Sequence, residues 1–122
     1  MRLVGLRGAI TCAADTKEEI ESKTQRMVKE LLDRNDLVPD DVVSMIFTAT
    51  DDLTAHFPAT AARGLGLGLD QVPLLGAREL AVEGALSRCI RVLVHCYTDK
   101  PRDEVHHVYL EEARTLRGDL SE

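Results

Sequence analysis

Hydrophobic and polar positions alternate along this chain with two different periods. From Leu3 to Thr11 the period is two, as in a strand: Leu3, Gly5, Arg7, Ala9 and Thr11 share one face, and Val4, Leu6, Gly8 and Ile10 the other. The period then lengthens. Asp15-Thr16-Lys17-Glu18-Glu19 has the form of a capping box, with Asp15 or Thr16 as N-cap and a glutamate three residues on. Ile20, Met27, Val28, Leu31 and Leu32, with Thr24 between them, then mark one stripe of a helix running to about Asn35. Glu19/Lys23 and Glu30/Arg34 at i,i+4 spacing suit its far side, and the helix reads as scaffold. After a turn at Pro39-Asp40-Asp41, Val42 to Thr50 is largely apolar on both rows, the pattern of a central strand.

The second half is more broken. Pro58 fits the first position of a short helix in which Ala59 and Arg63 share a face and Gly64 or Gly66 ends the run. The stretch Gly64-Leu65-Gly66-Leu67-Gly68-Leu69 follows that helix rather than a strand and lacks a Gly-Lys-Ser/Thr, so it reads as a flexible connection, not a phosphate loop. Val72 to Leu80 forms a short strand passing Gly76 and carrying Arg78 and Glu79, and Glu83-Gly84 turns the chain. Cys89 to Asp99 is the most strand-like run, with Ile90, Val92, Val94 and Cys96 on one face and Arg91, Leu93, His95 and Tyr97 on the other. Val105 to Arg117 closes the chain, with His106, His107 and Tyr109.

This arrangement sets a guanidinium, Arg91, on an apolar face near the middle of a sheet. Burying an unpaired charge costs on the order of several kcal/mol, so Arg91 should meet an anion, either in a structural ion pair or on a ligand. Arg7 is a second charge inside a strand, with small neighbours Gly5 and Ala9 that leave room above the sheet; a solvated arginine fits it equally. Arg63, one turn into a helix, is either part of an anion site or a surface charge.

Composition narrows the classes. A chain of 122 residues is the size of one domain and buries roughly two-thirds of its unfolded surface. A net charge of −6 argues against nucleic acid. Eleven arginines against four lysines favour carboxylate recognition, since the guanidinium fork matches a carboxylate. Three cysteines, Cys12, Cys89 and Cys96, form no C-x-x-C and cannot all pair, which points to a reducing compartment. No apolar run is long enough to span a bilayer and no signal peptide is evident, so a soluble, cytoplasmic domain is expected. Adjacent histidines point oppositely on a strand, and no other metal-ligand spacing occurs, so no metal site is expected.

Taken together, Arg7-Gly8-Ala9, Phe57-Pro58-Ala59 with Arg63, Val72-Pro73, Cys89-Ile90-Arg91-Val92 and His107-Val108-Tyr109-Leu110 resemble one family in order and spacing, from Arg2 to about Leu120. It is the monofunctional, trimeric chorismate mutases with a mixed α/β fold, distinct from the all-helical mutases. The resemblance implies a single α/β (α+β) domain over residues 1–122. Its mixed sheet of about five strands would pack with one long and one or two short helices, in a homotrimer forming a pseudo-α/β-barrel. It implies the isomerisation of chorismate to prephenate in aromatic amino acid biosynthesis, with active sites between subunits and no cofactor. Arg91 matches the arginine on the ether oxygen and a carboxylate, and Glu79 the glutamate near the ring hydroxyl. Arg7 and Tyr109 match carboxylate ligands. Phe57 and Arg63 match a pocket wall and a second positive charge, Leu75 and Gly76 line the pocket, and Arg117 lies in a tail that approaches it. Some members carry a lysine at Thr60 and a cysteine at Gly76, so affinity should differ here. With no regulatory domain in view, control by phenylalanine or tyrosine is not expected. The competing readings are a non-catalytic trimer that binds small carboxylates and, more distantly, an imine hydrolase on a similar trimeric fold.

Overall fold

The structure, a computed structural model, describes residues 1–116, so Arg117 lies outside the described residues. Five strands form one mixed sheet: β1 (Arg2–Thr11), β2 (Val42–Ala49), β3 (Leu74–Arg78), β4 (Cys89–Thr98) and β5 (Val108–Leu110), in the order β3-β2-β4-β1-β5. β4 runs antiparallel to both β1 and β2, while the outer strands β3 and β5 join β2 and β1 in parallel. Parallel strands need crossover connections: α2 (Pro58–Arg63) links the neighbours β2 and β3, and α1 (Lys17–Arg34) carries the chain from β1 past the position of β4 to β2.

The caps follow the sequence with one change. Thr16 is the N-cap and its Oγ1 accepts the Glu19 N–H at 3.1 Å. Glu19 does not close the box on Thr16; its Oε1 takes the Ala13 N–H at 2.7 Å and the Lys23 ammonium at 3.1 Å. Glu30 pairs with Arg34 at 2.7 Å, as the spacing suggests. α2 is six residues long, capped by Phe57 and Gly64, which is too short for its dipole to hold an anion.

Both helices lie on one side of the sheet. Ile20, Met27, Val28 and Leu31 of α1 pack on Leu6 and Ile10 of β1, Ile90, Val92 and Val94 of β4, and Met45 and Phe47 of β2. Each such aliphatic side chain contributes roughly 1.5–3 kcal/mol by burial. Two expectations need correction here. The Gly64–Leu69 connection is anchored at its far end, where Leu69 is fully buried in this core and starts a short 3-10 turn, Leu69–Gln71. The face of β4 that carries Arg91 is not a buried one in the single chain: Leu93, 37% exposed, and Tyr97, 44%, stand on it, and the Arg91 side chain is 42% exposed. No helix of the described residues is long and apolar enough to cross a membrane.

Helix and sheet approach closely at Gly8. A Cβ there would sit 2.8 Å from Leu31 Cδ1, 3.0 Å from Val92 Cγ1 and 3.1 Å from Met27 Cγ, whereas one at Gly76 would meet nothing within 4 Å. Gly8→Ala should therefore destabilise by about 1–3 kcal/mol through overpacking, and Gly76→Ala should stay within about 0.5 kcal/mol of the parent. Urea denaturation at one protein concentration checks both.

Candidate active site

Strand register collects the charged residues on the face that the helices leave uncovered. On β4, Arg91 stands opposite Thr48 of β2 and Ala9 of β1. Ala9 in turn pairs with Tyr109 of β5, and Arg7 lies two residues before Ala9, so all of these share one side. Glu79 follows the last residue of β3, where its N–H donates to the Ala49 carbonyl at 3.1 Å. Its Oε1 accepts the Thr48 hydroxyl at 2.6 Å and lies 3.4 Å from Arg91 Nε. The anion expected beside Arg91 is therefore at least Glu79.

That contact leaves the guanidinium only partly engaged. Arg91 Nε is at ion-pair distance from Glu79 without hydrogen-bond alignment, and the Tyr109 hydroxyl is buried with no hydrogen-bond partner among the described residues. Buried polar atoms are seldom left this way; of the five such atoms among the described residues, with Thr24, Glu30 and His56 holding the others, these two belong to one cluster. The far end of the cluster is floored by Ala9, Cys89, Tyr109 and Ala113, with Leu86 and Leu116 packed against them.

Phe57, Arg63 and Gly76 lie elsewhere. They line a cavity of about 730 Å³ bounded by the loop after β2, α2 and the β3 edge, together with Thr60, His56 and Arg78. Phe57 is 75% exposed at its mouth. Leu75 pairs with Ile46 and so stands on the other side of β3 from Gly76, with the Arg91 face. The single chain thus brings Arg7, Glu79, Arg91 and Tyr109 to one surface and Phe57, Arg63 and Gly76 to another. The loop leading to Phe57 is held at its base by Asp15, whose carboxylate accepts the Thr54 N–H and hydroxyl, each at 2.9 Å, and the Ala55 N–H at 3.0 Å.

Two contributors escaped sequence reasoning. Thr48 orients Glu79, and the strand alternation of β2 would have placed it beside Arg91 had the β2–β4 register been known. His107 Nδ1 accepts the Arg7 N–H at 3.0 Å, which ties the chain entering β5 to the residue that carries the second guanidinium. Nothing local in the sequence marks that bond. Among the described residues there is no group of three or more His, Cys, Asp or Glu able to hold a metal.

Known proteins resemble this chain over nearly its whole length. The family model described as chorismate mutase type I matches residues 3–120. The chorismate mutase AroH of Bacillus subtilis is 46% identical over 121 residues, covering 99% of this chain and 94% of that protein. The chorismate mutase AroH of Thermus thermophilus is 49% identical over 117 residues, covering 95% and 94%. A solved chorismate mutase from Clostridium thermocellum superimposes with a TM-score of 0.86 at 43% identity, covering 91% of this chain and 97% of that one.

The three cysteines are free and buried. Burial pushes the thiols of Cys12 and Cys96 up to about 11, with Glu19 and Asp41 respectively adding to the effect. Burial also raises Cys89, against an opposing pull from the Arg91 charge. The thiolate is the reactive form, so at pH 8 the native protein should resist an aromatic disulfide reagent. Denatured protein should release three equivalents of the coloured thiol, one for each free cysteine. Fast reaction of any cysteine in the native state would contradict this burial.

Proposed function

This chain belongs to the chorismate mutase type I family, and we propose that Arg91 is the centre of its catalysis of the chorismate-to-prephenate isomerisation, a step of aromatic amino acid biosynthesis. The observation that carries the assignment is the unfinished bonding of the Arg91 cluster: a guanidinium nitrogen and a tyrosine hydroxyl, both buried and both lacking a hydrogen-bond partner, beside a carboxylate held by Thr48.

The reaction is an intramolecular rearrangement in which a C–O bond breaks as a C–C bond forms. It moves no proton and needs no cofactor. Two demands remain. The substrate, a dicarboxylate, must be held with its side arms stacked over the ring, and the negative charge that develops on the departing ether oxygen must meet a donor already in position. Arg91 supplies that donor, Arg7 and Tyr109 hold carboxylate, and Glu79 faces the ring hydroxyl. Since Glu79 also anchors Arg91, the guanidinium is turned before the substrate arrives, and little reorganisation is left for the transition state.

Phe57, Arg63 and Gly76 complete the pocket from a neighbouring chain. Their separation from the Arg91 surface within one chain supports this arrangement, as does the bare sheet face that carries Leu3, Leu93 and Tyr97. Leu75 would line the same interface. A closed ring of three chains has heterologous contacts, each chain offering one surface to each neighbour. We also infer a cytoplasmic site of action, on the ground of three free buried thiols.

Loss of one donor to a developing oxyanion costs on the order of 3–4 kcal/mol, so Arg91→Ala should lose at least about a thousandfold in kcat, followed by the decline of chorismate absorbance in the near ultraviolet. Arg91→Lys keeps the charge without the fork and should recover part of it. A folded Arg91→Ala protein with near-normal kcat would remove Arg91 from its role.

The shared pocket is tested by mixing. Arg63→Ala and Arg91→Ala chains, refolded together in equal amounts, should form intact pockets wherever a whole Arg91 surface meets a whole Arg63 surface, about one-half times one-half of all interfaces. About a quarter of parental activity should return, although each variant alone is poor. A mixture that only averages the two variants, with subunit exchange demonstrated, would place both arginines in one chain's pocket.

A further inference from the structure

The ends of β2 and β4 are tied together just below the Arg91 cluster. Asp52 lies in the turn after β2, and its two carboxylate oxygens accept the Arg88 N–H at 3.1 and 3.0 Å. The same carboxylate accepts the Thr50 hydroxyl. Thr50 in turn brackets Cys89: its Oγ1 accepts the Cys89 N–H at 3.0 Å, and its own N–H donates to the Cys89 carbonyl at 3.1 Å. Donors from the residues on either side of the Arg88–Cys89 bond therefore converge, directly or through Thr50, on one carboxylate.

Arg88 has φ of +47°, the left-handed region that a residue with a Cβ enters only when its surroundings compel it. Its surroundings are dense. Besides the Asp52 contacts, Arg88 Nε donates to the Cys12 carbonyl at 3.1 Å and the Cys12 N–H donates to the Arg88 carbonyl at 2.8 Å. Backbone strain of this kind, over-determined by charged hydrogen bonds, gathers where a nearby side chain must be aimed. Arg88 is the last residue before β4, so its dihedrals set the direction in which Cys89, Ile90 and Arg91 enter the sheet.

We propose that Asp52 is a positioning residue for the isomerisation: by holding Arg88 in its left-handed conformation it aims the Arg91 guanidinium at Glu79 and at the substrate oxygen. The inference rests on the role of Arg91 given above. Asp52 and Thr48 are four residues apart at the end of one strand and its turn, so one short segment fixes both partners: Thr48 orients Glu79, and Asp52 orients Arg91. A misplacement of about 1 Å at a reacting group can cost about a hundredfold in rate.

The test uses the full-length protein and measures kcat and KM well below each variant's melting temperature. Asp52→Ala should lower kcat roughly ten- to a hundredfold with KM changed far less, since the carboxylate contacts of Arg7 and Tyr109 stay in place. Two readouts separate aiming from mere support. In an Arg91→Lys background, which has already lost the fork, Asp52→Ala should cost much less than in the parent, a non-additive cycle. Adding Arg88→Gly to Asp52→Ala should recover part of kcat, because glycine enters φ near +47° without the steric cost that Asp52 offsets for arginine. If Asp52→Ala does not assemble, Asp52→Asn replaces it: losing one charged acceptor, it should show a smaller kcat loss with the same non-additivity and the same rescue. Full kcat in a folded Asp52 variant, equal cost in both backgrounds, or no recovery with Arg88→Gly would overturn the proposal. Parental protein that fails to consume chorismate would instead overturn the functional reading itself, and the two failures are told apart by that control.

Discussion

Helices α1 and α2 pack against the same face of the sheet, which leaves the opposite face of β1, β4 and β2 with little of this chain over it. A sheet face in a small domain ordinarily needs a second layer. Here one end of the bare face is apolar, with Leu3, Leu93 and Tyr97, and the other is charged, with Arg7, Arg91 and Glu79. The covered side supplies stability, and helix and strand close on each other at Gly8 until an added methyl group would crowd Leu31, Val92 and Met27. The uncovered side is thereby free to carry groups that a core would not tolerate. The cluster proposed for catalysis sits on the face that folding of one chain did not consume.

Much of this was legible in the sequence, and the failures have a common origin. The period-two run of β1, the capped stripe of α1 and the alternation of β4 were readable because each depends on neighbours within a few residues. That the Arg91 face is left uncovered by the helices of its own chain was not readable, because exposure depends on where the helices travel, and alternation says only that two faces differ. The pairing of Glu79 with Arg91 was likewise out of reach of spacing: it follows from β3 adding beside β2 in the order β3-β2-β4-β1-β5, which strand sequence does not dictate. Leu69 looked like part of a glycine-rich connection, yet it fills the core through a contact made across the chain. The bonds from Thr48 to Glu79 and from Arg7 to His107 span tens of residues and carry no local signature.

Polar groups in the cluster are arranged in two tiers. Thr48, Asp52 and His107 direct their hydrogen bonds to the protein, fixing a carboxylate, a strand entry and a backbone position. Arg91 Nε and the Tyr109 hydroxyl are held in place while their own bonding stays incomplete. Preorganisation requires this division, since a donor already satisfied by the protein has nothing to offer a transition state, and one not held would lose the advantage to reorganisation. The unpaired hydroxyl is a local cost to stability of the kind that working sites commonly carry.

The parallel outer strands also bear on how the protein acquires its fold. β5 pairs with β1 through Gly8↔Val108, Ala9↔Tyr109 and Ile10↔Leu110, joining stretches from opposite ends of the chain. Such pairings are slow to nucleate, because the entropy of closing so long a loop must be met before the contact gives anything back. Tyr109 reaches the Arg91 cluster only through that pairing. A chain in which α1 had packed on β1 but β5 had not docked would therefore hold a core without Tyr109 beside Arg91, and assembly of that cluster reports that the whole topology has closed.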